Sequence, residues 1–136
     1  MKVKLDDGAF MPQRAHEQDA GYDLRTPVCV TVPAGGFAAV DTGVHIQLPP
    51  GKCAVVISKS GLYLKHNISS TGLIDEGFTG IIIVGLRNQG TADHTFTRGD
   101  KISQFFITDY YAEELELVEE LSETERGSAG YGSTGK

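Results

Sequence analysis

Val28-Cys29-Val30-Thr31-Val32 runs into Pro33-Ala34-Gly35-Gly36, and Phe37-Ala38-Ala39-Val40-Asp41-Thr42 begins on the far side. β-Branched and aromatic residues crowd the flanks while proline and paired glycines hold the middle, the composition of strand, turn and strand. The same rhythm continues outward. Residues 45–48 are closed by Pro49-Pro50-Gly51, and residues 53–58, 80–86 and 102–108 are the segments richest in valine, isoleucine and phenylalanine. Residues 87–91 and 98–100 read as turns. Together with seventeen glycines, this spacing predicts an all-β sandwich or barrel. One short helix is expected over residues 62–66. Residues 112–121 fit two periods: Leu115 and Leu117 alternate as in a strand, whereas Leu117, Val118 and Leu121 share a helix face. The expectation is a strand.

A chain of 136 residues, 40% apolar, suffices for one core and one domain. The formal charge of −6 argues against a duplex or RNA binder, which needs lysine and arginine on the phosphates. A small polyphosphate stays compatible, since local cations, backbone amides and a metal can hold it. Residues 1–10 carry no apolar core of signal-peptide length, and the run Ile81-Ile82-Ile83-Val84 is too short to span a bilayer. A cytoplasmic protein without a membrane partner is therefore expected. Cys29 and Cys53 stand singly in apolar stretches and read as reduced core residues. Arg98-Gly99-Asp100 reads as a turn ahead of a strand at Lys101, and the sequon at Asn67 has no meaning in an intracellular chain.

From residue 123 the character changes: four glycines fall within residues 126–136, too many for a packed element. Residues 1–122 are expected to form the core and residues 123–136 a mobile arm. Gly130, Gly132 and Gly135 have GxGxxG spacing, but no helix can follow in the single residue that remains. The same stretch begins a Walker A pattern and lacks both its final hydroxyl residue and its helix. What survives is the physics of a phosphate-wrapping tail, with exposed amides, hydroxyls at Ser128, Ser133 and Thr134, and charge at Arg126 and Lys136.

Five segments carry a more specific signal. They are Ala20-Gly21-Tyr22-Asp23-Leu24, Ser58-Lys59-Ser60-Gly61-Leu62, residues 72–80 reading GLIDEGFTG, residues 98–104 reading RGDKISQ, and the arm ending GYGSTG. In this order and spacing they resemble the trimeric dUTP diphosphatase family across most of the chain. The resemblance implies a jelly-roll-like sandwich or distorted barrel assembled as a homotrimer. It also implies magnesium-dependent hydrolysis of dUTP to dUMP and pyrophosphate, which supplies dUMP for thymidylate synthesis and keeps uracil out of DNA.

Residue roles follow from the same resemblance. Asp75, set between Ile74 and a Gly-Phe turn, is expected to be a partly desolvated general base that activates the water attacking the α-phosphorus. Phe78 stands where relatives usually carry tyrosine, and its ring would exclude a 2′-hydroxyl. The hairpin around Ser69, Gly72, Leu73 and Ile74 would read uracil through fixed donors and acceptors, with a substrate contact also assigned to Ile83. Relatives often carry asparagine at the position of Ser69. Ser60 and Gly61 would bind phosphate oxygens, joined by Gln104. Lys59 replaces the usual arginine, keeping the charge without the bidentate fork. Asp100 is expected to hold its own loop. Asp23 is the carboxylate expected to reach Mg2+ through water, a purely structural role being the alternative. In the arm, Arg126 would meet the γ-phosphate and Tyr131 would stack on uracil. Gly132, Ser133 and Thr134 would wrap the phosphates as the arm closes over the active site.

Two rivals have sequence tests. A dCTP deaminase, similar in its third segment, needs a glutamate ten residues beyond the position of Asp75, where this chain has Gly85. A regulatory binding role, alone or beside catalysis, leaves no readable mark.

Overall fold

In the computed structural model, which describes residues 1–128, the β-rich rhythm becomes ten strands and one helix. The order is β1 (Lys2–Leu5), β2 (Tyr22–Arg25), β3 (Val30–Val32), β4 (Phe37–Gln47), β5 (Lys52–Ile57), α1 (Ser60–His66), β6 (Ile68–Ser69), β7 (Thr71–Ile74), β8 (Ile81–Asn88), β9 (His94–Phe96) and β10 (Lys101–Asp109). One sheet runs β1-β4-β8-β6, a second runs β2-β10-β5-β7, and β3 pairs with β9 in a small third. All these pairings are antiparallel.

Strand alternation explains the sandwich. On β8, Ile82, Val84, Leu86 and Asn88 point inward while Ile83 and Arg87 point out. Val40, Val44 and Ile46 from β4 meet them in one sheet, and Leu24, Ala54, Val56, Ile102 and Phe105 face them from the other. A single core joins both large sheets, giving a jelly-roll-like sandwich and no closed barrel. Buried Asn88 is fully satisfied: its amide donates to Val32 O and Ala92 O at 3.0 and 2.8 Å, and its oxygen accepts from Gly90 N at 2.9 Å.

Residues 37–48, expected as two strands, form one long strand through a bulge. The β4–β8 register shifts between Asp41 and His45, with Gly43 at φ +64. A Cβ at Gly43 would meet Ala9 Cβ at 2.8 Å, so glycine answers both the backbone sign and the space. Four other expectations change. Residues 28–32 shorten to β3, because the chain becomes a strand only where β9 lies beside it. Cys29 lies exposed just outside that pairing, while Cys53 is buried as expected. The helix starts two residues early, at Ser60. Residues 112–121 form no strand: Leu115, Leu117 and Leu121 are 98%, 100% and 87% exposed, with no neighbouring strand among the described residues to pair with. Among the described residues, the last strand ends at Asp109. The described start of the arm holds one turn, Gly127 N donating to Thr124 O at 3.0 Å. Among the described residues, no helix is long and apolar enough to cross a membrane.

Candidate active site

β2, β5 and β10 lie side by side and bring three of the five segments together. Asp23 faces Gln104 in the β2–β10 register, and Gln104 faces Ile57 in the β10–β5 register. Gly21 allows the closest approach: a Cβ there would sit 2.5 Å from Gln104 Oε1. The Gln104 amide also donates to Ser58 O at 3.3 Å. Between these strands lies a cleft of about 320 Å³, lined by Asp19, Gly21, Asp23, Lys59 and Gln104 among others.

Asp23 organises the charge. It is 5% exposed and accepts hydrogen bonds from two ammonium groups, Lys59 Nζ on one oxygen and Lys101 Nζ at 2.6 Å on the other. Burial pushes its carboxyl pKa up, but the bonds from Lys101 and Lys59 outweigh that and hold it below 3.8. The carboxylate expected to reach Mg2+ therefore spends both oxygens on lysines. This geometry fits the structural alternative: Asp23 sets two cations beside the cleft. Among the described residues, no group of three His, Cys, Asp or Glu could hold a metal ion.

A serine network ties the hairpin of β6 and β7 to the ends of β5 and β10. Ser70 N donates to Ser58 Oγ at 2.8 Å, and Ser58 Oγ donates to Ser70 O at 3.1 Å. Ser103 Oγ donates to Ile57 O at 2.9 Å and lies 2.7 Å from Ser70 Oγ. Each hydroxyl has one proton, so Ser70 is the donor in that last contact. Ser69, next in line, is half-buried on β6 opposite Arg87. Gly72 lies opposite Val56, Leu73 is 64% exposed, and the Ile74 side chain is buried in the core. Any substrate contact from Ile74 must therefore come from its backbone.

Beyond Ile74 the chain makes a tight turn, Phe78 N donating to Asp75 O at 3.2 Å with Gly77 at φ +88. Glu76 anchors it, accepting Gly51 N at 2.7 Å and the Tyr110 hydroxyl at 2.8 Å. The Phe78 ring lies against Gly80. Asp75 itself is exposed rather than partly desolvated, because nothing else among the described residues covers the turn. Ile83 is also exposed, on the outward face of β8. Asp100 holds its loop as expected, accepting from Thr97 N and Thr97 Oγ1 at 2.7 and 3.0 Å.

Two halves result. Ile74 pairs with Ala54, five residues before Lys59, and Asp75 follows at that far end of the ladder. At about 3.3 Å per residue, Asp75 and the Lys59–Ser60–Gly61 segment stand roughly 17 Å apart along β5. One chain does not bring them together. Tyr131, Gly132, Ser133 and Thr134 lie outside the described residues.

A family model described as dUTPase matches residues 7–135. The chain belongs to the dUTPase family. The deoxyuridine 5'-triphosphate nucleotidohydrolase of Clostridium acetobutylicum is 42% identical over 135 residues, covering 97% of this chain and 93% of that one. The mitochondrial human enzyme of the same name is 40% identical, covering 98% of this chain and 54% of the other. Among solved structures, the dUTPase of Staphylococcus bacteriophage 80alpha with dUPNHPP superposes at a TM-score of 0.92 and 28% identity, covering 99% of this chain and 98% of that one. A variant dUTPase from phage phi11 of S. aureus matches at 0.81 and 27% identity, covering 90% of this chain and 98% of the other; that structure shows the coordination of a structural Mg(II) ion.

Four residues that the sequence left without a role stand close to the segments this dUTPase-family chain brings together. Lys101 was part of a quoted segment without a role, and its charge beside Lys59 appears only when β10 lies next to β2. Ser70 and Ser103 lay within the hairpin and the 98–104 segment without a role of their own, and Tyr110 lay outside every segment, because hydroxyls far apart in sequence converge only through strand pairing.

Proposed function

We propose that this dUTPase-family chain hydrolyses dUTP to dUMP and pyrophosphate. One observation carries the reading: the Asp75 turn presents an exposed carboxylate and, three residues on, an aromatic ring packed against glycine. That is the pair needed for water activation beside a deoxyribose. Asp75 takes the proton from water as its oxygen attacks the α-phosphorus, and the bond to the bridging oxygen breaks to release pyrophosphate. Lys59, with Lys101 beside it, offsets charge on the triphosphate, and Ser60, Gly61 and Gln104 orient its oxygens. Ser69, Gly72, Leu73 and the Ile74 backbone read uracil, and Phe78 excludes a 2′-hydroxyl.

Mg2+ would come with the triphosphate and offset its charge, which suits a cation that keeps most of its water and needs few protein ligands. The roughly 17 Å between Asp75 and Lys59 supports sites assembled between copies of the chain, as a homotrimer provides. So do the fully exposed Leu115 and Leu117, apolar side chains that a neighbouring copy can cover. The arm, through Arg126 and residues 131–134, closes such a site. Deamination of dCTP is disfavoured by space as well as sequence: a Cβ at Gly85 would meet the Phe37 ring at 3.0 Å, leaving no room for glutamate without moving Phe37.

The test is pyrophosphate release from each deoxynucleoside triphosphate with and without Mg2+. Release from dUTP alone, and only with the metal, is expected. Comparable turnover of dCTP or dTTP overturns the uracil-hairpin argument.

A further inference from the structure

His45 of β4 lies outside all five segments, yet it reaches the turn that carries Asp75 and Phe78. Its Nδ1 is 2.9 Å from the Thr79 carbonyl oxygen, and its Nε2 is 3.1 Å from Asp6 Oδ2. Both partners are acceptors. A neutral imidazole has one N–H and can satisfy only one of them, leaving lone pair against lone pair at the other; the imidazolium satisfies both. Thr79 sits between Phe78 and Gly80, so the ring grips the end of the turn opposite to the one anchored at Glu76.

The surroundings sort by sign. From β1, Lys4 lies across from His45 in register and pairs with Asp6 at 3.3 Å, and Lys2 lines the same hollow. From β8 the register partner is Ile81, which is apolar. From the β7–β8 turn comes only the Thr79 carbonyl. Among the described residues Asp6 is thus the one anion against the ring, and its own carboxyl is held below 3.8 by the bonds from His45 and Lys4. In return the Thr79 carbonyl, then Asp6, raises the His45 pKa above its ordinary 6.5, against opposing contributions from burial and Lys4.

We propose that His45, carrying hydrogen on both ring nitrogens, is a positioning residue that holds Thr79 and thereby fixes the Phe78 ring beside the sugar. The proposal rests on the dUTP-hydrolase reading for its kinetic consequence and on geometry alone for its structural one. The sign follows from the raised pKa: both bonds are made below pH 6.5, and as pH rises through the folded-state value the ring keeps its remaining proton on Nε2 toward the Asp6 carboxylate, the stronger acceptor, and releases Thr79. Discrimination between dUTP and UTP should therefore weaken on the alkaline side. Both substrates carry the same triphosphate and bind the same metal, so their own titrations cancel in the ratio.

The experiment has two readouts on the intact protein. The first is an NMR titration of the His45 ring with the backbone amides of Phe78, Thr79 and Gly80. A midpoint above 6.5 shared by ring and turn is expected in the wild type. It should move lower in Asp6→Asn, and the turn's titration should vanish in His45→Gln. The second is kcat/KM for UTP relative to dUTP across that pH range. The ratio should rise about two- to tenfold through the same midpoint, the worth of one such hydrogen bond. In His45→Gln it should be high and flat. Turn resonances that titrate unchanged in His45→Gln overturn the proposal, with or without activity. So does a ratio that is pH-independent in the wild type while dUTP is hydrolysed. Absence of dUTP hydrolysis sinks the functional reading instead, and the NMR titration then decides the His45 contact by itself.

Discussion

The Phe78 ring lies on the backbone of Gly80: a Cβ built there would meet ring carbons at 2.6 and 2.9 Å. Glycine is needed for that space, since no left-handed backbone angle is involved at Gly80. Gly80→Ala should lift the ring into the volume reserved for C2′, and Phe78→Ala should empty it. For Phe78→Ala, kcat/KM for UTP relative to dUTP should rise by about tenfold or more. For Gly80→Ala, dUTP turnover itself should fall. An unchanged UTP ratio in a folded Phe78→Ala protein would contradict the steric gate.

Asp75 extends from a turn anchored on one side by Glu76 and on the other by Thr79. Asp75→Asn keeps the shape and removes the base. Turnover should drop by roughly 10² to 10⁴ while a non-hydrolysable dUTP analogue still binds. Calorimetry of analogue binding beside steady-state rates separates the two effects. Turnover within a few-fold of wild type would place the base elsewhere.

Asp23 should matter to folding as well as to phosphate binding. Asp23→Asn leaves Lys59 and Lys101 facing each other without their anion. Their side chains keep 26% and 36% exposure. The loss should therefore sit near the low end of that for a broken buried pair, about 3 kcal/mol, read from urea unfolding. Because the Asp23 pKa is lowered on folding, its contribution is fully present above the unfolded value of about 3.9 and disappears as pH falls through the folded one. The wild type should thus lose its advantage over Asp23→Asn only in strong acid. Equal stability of the two at pH 7 would count against the lysine clamp.

Two inactive variants can test assembly. Arg126→Ala should cost about 2.7–4 kcal/mol of transition-state stabilisation, by analogy with a lost oxyanion donor. Asp75→Asn should be comparably inactive. Unfolding the two and reassembling them together creates sites that pair an intact Asp75 from one copy with an intact Arg126 from another. Activity should return if the arm acts on a neighbour. Verified mixing with no recovery would show that the arm folds over its own chain.

By itself, the sequence determined the β architecture and the chemical vocabulary of the site. The β-branched run in residues 80–86 and the turn formers at residues 33–36 are local signals, readable from composition alone because branched side chains favour strands and proline and glycine favour turns. Asp75, Phe78, Gln104 and the glycines were legible as intact segments. Only the tertiary structure decided what those residues meet. The two apolar stretches holding Cys29 and Cys53 look alike in sequence. One cysteine is buried and the other exposed, because burial depends on which strand lies across from each. Leu115 and Leu117 alternate as a strand would, yet no strand forms, since a ladder needs a partner edge. Asp23 read either as a metal carboxylate or as a structural residue, and the folded sheet sets two lysines on it. His45 and Thr79 are thirty-four residues apart and meet only because β4 carries a bulge at Gly43 and lies beside β8. Contacts of this kind are made by strand register, and register is a property of the assembled sheet.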